Sequence, residues 1–191
     1  MDLELQQALL LIHSAISDER CSAIVGLRKH LDVFEAQHAL LLSLNDEDGH
    51  VRILAAEALA KAGLCPEKAI PVLIATIEVT DMAYLAQVPG AKEWRRVAVG
   101  VLGRYGAKAA PAIPILRTAL LDPDINIRGY AAKSLGEIGP EAIVALQDLR
   151  ATRQAEEDEN LRSIYDHAIQ QIMQSKRFIV IAQEDDESGE S

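Results

Sequence analysis

Aromatic residues are scarce: Phe, Trp and Tyr together make up 4% of 191 residues, with a single Trp. The 49% hydrophobic content is therefore mostly Ala, Leu, Ile and Val. Cores of that kind come from closely packed helices, with small residues where the backbones approach. Cysteine is nearly absent too. Cys21 and Cys65 stand far apart with no CxxC spacing, so neither a disulfide framework nor a zinc site follows, and both read as small buried hydrophobes of a reducing cytosol. No apolar run approaches the ~20 residues needed to cross a bilayer. The opening MDLELQQALLLIHSAI has acids and no Lys or Arg before its apolar stretch; it reads as one face of a helix rather than a signal peptide.

Positive charge is also in deficit. Nineteen Lys and Arg face 29 Asp and Glu, for a net charge of -10. The tail holds Glu184, Asp185, Asp186, Glu187 and Glu190, and the body is acidic as well. No basic stripe is dense enough to overcome that field, which argues against a nucleic-acid partner. Chemistry-bearing clusters are missing in the same way. His13, His30, His38, His50 and His167 lie apart and form no HExxH pair. DEDG at 46–49 has Leu44 and Ala55 where a calcium loop needs oxygen ligands. GVLGRYG at 100–106 closes a helical pattern with no strand before it, so it is not a phosphate loop. No catalytic residue, metal ligand or cofactor is expected.

What the chain does have is a repeat. Asp122, Asp124, Arg128, Ala131, Leu135 and Gly139 correspond to Asp46, Asp48, Arg52, Ala55, Leu59 and Gly63. A third copy keeps Arg95, Ala98, Leu102 and Gly106 without the acids; a fourth keeps Asp158 and Arg162, with Tyr165 and Ile169; a degenerate first copy has Arg20, Ala23 and Leu27. The repeat arginines stand 32, 43, 33 and 34 residues apart, and periods of this size indicate a solenoid of helix pairs with atypical end copies. Each position has a physical reason. Asp48, Asp124 and Asp158 stand where a carboxylate accepts from the free N–H groups of a helix start. Asp46 and Asp122 sit in the loop, where an Asp braces a turn. The arginines follow apolar anchors (Val51, Trp94, Ile127, Leu161), and Asp-to-Arg contacts between neighbouring repeats are expected to fix register. Gly63, Gly106 and Gly139 fall where a helix ends in a left-handed residue. A second helix then follows, with Pro71 and Pro114 expected to kink it or reset its start.

The pattern D-x-D-x-x-[VI]-R-x-x-A-A-x-x-L-G-x-I-G resembles the HEAT-like repeat, in particular the short bacterial type found also in phycobilin lyase subunits. The resemblance covers residues 18–173. It implies an all-α, right-handed α-solenoid of about five two-helix repeats, with second helices on the concave face. Residues 1–176 are expected to form it, and 177–191 an apolar strand-like segment with a disordered acidic tail. For function the family spans scaffolds, adaptors, lyase subunits and hydroxylases. The His-Glu iron-binding dipeptides of HEAT-like hydroxylases are absent here.

Departures from the repeat nominate the binding residues. Arg52 and Arg95 are about ten residues further apart than the other arginine pairs. The insertion at 79–94 carries Tyr84 and Trp94 beside Pro89 and Gly90, and either meets a partner or folds back over a neighbouring repeat. Arg117, Gln147, Arg150 and Arg153 lie on the second helices, as a groove for an acidic or polar segment or as a solvated face. Phe178 opens the apolar segment FIVI, a docking strand or a cover for the last repeat. The expected function is a cytoplasmic, non-enzymatic scaffold or adaptor for a protein or peptide, monomeric or weakly self-associating, without nucleic acid or membrane. The alternative is a bilin-type chromophore lyase or chaperone subunit.

Overall fold

The computed structural model describes residues 2–79, 87, 88 and 90–187, and side-chain surroundings as far as Gln174. The described residues are all helix or turn, without a strand. They fall into two compact units, Met1–Leu102 and Gly103–Ser191. The first unit holds α1 (Leu3–Leu11), α2 (Ser17–Leu27), α3 (Phe34–Ser43), α4 (Gly49–Lys61), α5 (Pro66–Glu78) and α6 (Ala91–Leu102). The second begins with a 3₁₀ segment, Gly103–Ala112, followed by α7 (Ile113–Ala119) and α8 (Ile125–Ile138). A second 3₁₀ segment, Gly139–Ala145, leads to α9 (Leu146–Ala155) and α10 (Glu159–Glu187).

The five repeat arginines fall on α2, α4, α6, α8 and α10, the first helices of the repeats. Their starts are capped as the sequence requires. Asp48 accepts the His50 N–H at 2.7 Å, Asp124 that of Asn126 at 2.9 Å, and Asp158 that of Leu161 at 2.9 Å. Two residues earlier, Asp46 and Asp122 each accept an N–H, from Asp48 and Asp124, at 2.9 Å. Gly63, Gly106 and Gly139 all have positive φ, the conformation a side chain would strain. Pro114 lies in the first turn of α7, after the 3₁₀ segment, whereas Pro71 lies inside an uninterrupted α5.

The motif's apolar positions make the core. Ala55, Leu59, Ala98, Leu102, Ala131 and Leu135 are all fully buried, as are the anchors Val51, Ile127 and Leu161. Trp94 is the exception among the anchors, being only half-buried. In the last copy Tyr165 replaces the small residue and is itself fully buried. The Gly following the motif's Leu has a separate purpose. A Cβ on Gly103 would lie 2.9 Å from Ser134 Cα, and one on Gly136 2.9 Å from Ala168 Cα. Within the second unit, the 3₁₀ segment at Gly103 thus touches α8, and α8 touches α10, at a distance that excludes any side chain.

The arginines link successive repeats. Each of four donates to the backbone carbonyl six residues before it: Arg20 to Ser14 at 3.0 Å, Arg52 to Asp46 at 2.7 Å, Arg128 to Asp122 at 3.0 Å and Arg162 to Glu156 at 2.5 Å. Two also reach the acid at that same place in the following repeat. Arg20 holds Asp46 with two bonds, Nη2 to Oδ1 at 2.7 Å and Nε to Oδ2 at 2.8 Å. Arg128 holds Glu156 Oε2 through Nε at 3.3 Å and Nη2 at 3.2 Å. Arg20 is only 7% exposed, so this contact is not the exposed surface pair the sequence suggests. Burial pushes the Asp46 carboxyl up, but the Arg20 and Asp48 hydrogen bonds and the charges of Arg20 and Arg52 outweigh it, leaving it below its ordinary 3.8. Glu156 is likewise raised by burial and then lowered further, by the Asp158 N–H and Arg128, to below 4.5.

The C-terminal segment corrects the sequence expectation. α10 continues through Phe178–Ile181 to Glu187 as helix, where the apolar run suggests a strand and the acids a disordered tail. A short apolar run is ambiguous between the two periods. Here no Pro or Gly intervenes between Leu161 and Glu187 to stop the helix. Residues 188–191 lie outside the described residues. The grouping into units at Leu102–Gly103 also differs from the single solenoid over 1–176 that the repeat suggests.

Two outcomes are expected. Gly136→Ala gains ~1 kcal/mol of helix propensity but forces a Cβ onto the α10 backbone, an overpacking cost of about 1–3 kcal/mol. Urea melts should therefore show net destabilisation; a more stable variant would mean the two backbones are not in contact. The second outcome concerns acid. Because Asp46 and Glu156 are held below their ordinary values, their contribution is complete above those values and disappears as pH falls through the lower folded ones. Stability should decline from about pH 5 downward, and Asp46→Asn with Glu156→Gln should flatten that decline. An unchanged acid slope would contradict the pairing.

Candidate functional site

In the first unit, Trp94 near the start of α6 stacks on His50 of α4, ring centroids 5.5 Å apart and planes 16° from parallel. Gly49 lets the rings meet, since a Cβ there would lie 3.1 Å from the indole. His50 Nδ1 also lies 3.6 Å from Cys21 Sγ. A Cys–His pair suggests a nucleophile, but burial first, and then the negative charges of Asp48 and Asp18, push the Cys21 thiol up. It stays protonated at neutral pH and is not an activated thiolate. Tyr84, the other aromatic proposed from the insertion, lies outside the described residues.

The polar residues proposed on the second helices lie in the second unit, and the structure gives their charges to internal partners. Arg117 of α7 pairs with Asp148 of α9, and that hydrogen bond and charge raise the guanidinium pKa. Arg153 of α9 forms a two-pronged contact with Asp166 of α10, at 2.7 and 2.9 Å. The same contact holds the Asp166 carboxyl below its usual range. Arg150 directs Nη2 toward Met173 Sδ at 3.6 Å, and Gln147 is exposed on α9. Phe178 lies in α10, its side chain beyond the described surroundings. Arg117, Gln147, Arg150 and Arg153 do not line the opening between α8 and α10.

That opening, in the second unit, joins residues that sequence reasoning did not connect. α8 and α10 run side by side in the same direction: Gly129 meets Leu161, and Gly136 meets Ala168. Between them lies a groove of about 590 Å³ from Ile125 to Glu137 on one side and Asp158 to Gln171 on the other. Ile125, Tyr130 and Ile164 on its walls are 44%, 43% and 38% exposed. Lys133 and Glu137 form an i,i+4 pair at 3.6 Å on its rim. The signal in the sequence was Gly129, one residue after the motif arginine, followed by the outward Tyr130. Among the described residues, one further group has metal-ligand proximity: Asp2, Glu4 and His30. Asp2 caps α1 and Glu4 pairs with Lys29, so the two acids serve the helix start.

Residues 83–169 match the family model for HEAT repeats. No curated protein matches the chain in sequence. Among solved structures, it is similar to an engineered protein at TM-score 0.66 and 20% identity, over 90% of this chain and 80% of that one. A second engineered protein gives TM-score 0.62 and 17% identity, over 92% of this chain but only 51% of the other. The complex of CpcE and CpcF of phycocyanin lyase from Nostoc sp. PCC7120 gives TM-score 0.59 and 18% identity, over 86% of this chain and 96% of the matched one. These likenesses establish a helical-repeat fold. No helix of the described residues is long and apolar enough to cross a membrane.

Proposed function

We propose that the protein is a non-enzymatic, cytoplasmic scaffold that binds a protein or peptide on its helical-repeat surface. The observation that carries this reading is where the charged groups go. Arg20, Arg117, Arg128 and Arg153 each take an acid from a neighbouring element, while apolar walls remain open between first helices. Catalysis needs ionisable groups converging on a cavity with perturbed affinities; here the lowered carboxylates belong to arginine pairs between neighbouring elements, and the Cys21 thiol is raised by burial. An open apolar surface with a polar rim suits association instead.

A second reading, a chromophore-lyase or chaperone subunit, draws support from the match to the phycocyanin lyase complex, whose matched chain is covered almost end to end. One experiment separates the two. The intact chain and its Tyr84→Ala/Trp94→Ala variant are used to pull down partners from source-cell extract, with mass spectrometry and visible absorbance read on the eluates. The scaffold reading predicts a colourless, stoichiometric protein partner. A pigment band eluting with the chain would overturn it in favour of the lyase reading. Loss of the partner in the variant would place the contact at the insertion.

A further inference from the structure

The α8–α10 groove has the dimensions and chemistry of a receptor for one class of partner. At about 590 Å³ it falls within the size range of ligand-binding clefts, but its form is long rather than deep. Six residues of α8 line it between Ile125 and Glu137, a span of about 18 Å at the helical rise, enough for about three turns of a docked helix. Its floor is apolar because Gly129 offers no side chain and Leu161 of α10 covers the gap, with Ile125, Tyr130 and Ile164 as walls. One end is acidic: Asp158 stands at the Ile125 end, whereas Glu137 at the other is paired with Lys133, on a chain whose net charge is -10.

From this we infer that the groove receives a short amphipathic helix that carries apolar anchors on one face and Lys or Arg at the end that meets Asp158. The inference rests on the scaffold reading and locates its site. Charge chooses this occupant over another copy of the chain, because two molecules of charge -10 repel on approach, whereas a cationic segment is drawn in. Anchors at i, i+3 or i+4, and i+7 would fall between Tyr130 and Ile164, as in other helix-in-groove contacts. The Asp158 carboxylate, which lines the groove and caps α10 by accepting the Leu161 N–H through Oδ1, would meet the flanking cation and set the position along the groove.

The test uses the full chain and three labelled synthetic peptides of equal length. One is an amphipathic helix with Leu anchors and Lys at one end, the second has Glu in place of Lys, and the third has Ser in place of Leu. Fluorescence anisotropy should show saturable binding of the first and at least about tenfold weaker binding of the other two. Ile164→Asp and Tyr130→Asp, both at exposed positions, should each weaken the first peptide by about tenfold or more. Arg150→Ala/Arg153→Ala should leave it unchanged, and helical circular dichroism should confirm that all variants are folded. Equal binding of the three peptides, or binding that survives both groove variants, would overturn the inference. Sensitivity confined to Arg150→Ala/Arg153→Ala would also overturn it, yet would leave the scaffold reading standing with its site on the second helices. Absence of peptide binding would remove the groove alone, since the pull-down tests the scaffold independently.

Discussion

The link from a first-helix arginine to the acid that opens the next repeat organises the rest of the structure. One residue serves three geometries at once. Asp46 braces its own turn through the Asp48 N–H, supplies its carbonyl to Arg52 in its own repeat, and takes both arms of Arg20 from the preceding one. Glu156 repeats the arrangement one methylene longer, with Asp158, Arg162 and Arg128. A planar, two-pronged donor suits this purpose better than Lys, because it fixes orientation as well as distance. Partial burial strengthens the field each partner feels, and the lowered affinities of both carboxyls follow.

Register fixed in this way permits close approach. Gly136 brings α8 and α10 together at a separation where a one-residue slip would place a side chain against backbone. Where the contact opens again, around Gly129, the same parallel arrangement leaves a groove instead of a seal. The groove is thus a by-product of the stacking geometry, and the charges at its ends belong to residues with structural duties, the Asp158 cap and the Glu137 pair with Lys133.

The fold was largely legible because its determinants are local. Caps lie two to four residues from what they cap, and glycines sit at the helix ends they terminate, so one copy of the motif predicts the next. The binding residues were harder to read for the opposite reason. Arg117 and Arg153 looked available because Asp148 and Asp166, which engage them, lie on other helices. Trp94 looked like a core anchor, but it is half-buried and stacks on His50, 44 positions earlier. The groove is marked by a missing side chain at Gly129 and by Leu161 and Ile164 from the following repeat, which no single stretch of sequence brings together. The run at Phe178 misled because four apolar residues fit either period.

The central claim is that the arginine-to-acid links are structural and not incidental surface pairs. A double-mutant cycle on Arg128 and Glu156, with Gln at each position, tests it most directly by urea denaturation of the four proteins. Exposed ion pairs couple by at most ~1 kcal/mol. The account predicts a coupling free energy above that range, with the single variants nearly as destabilised as the double. Additive effects, with no coupling beyond error, would contradict it.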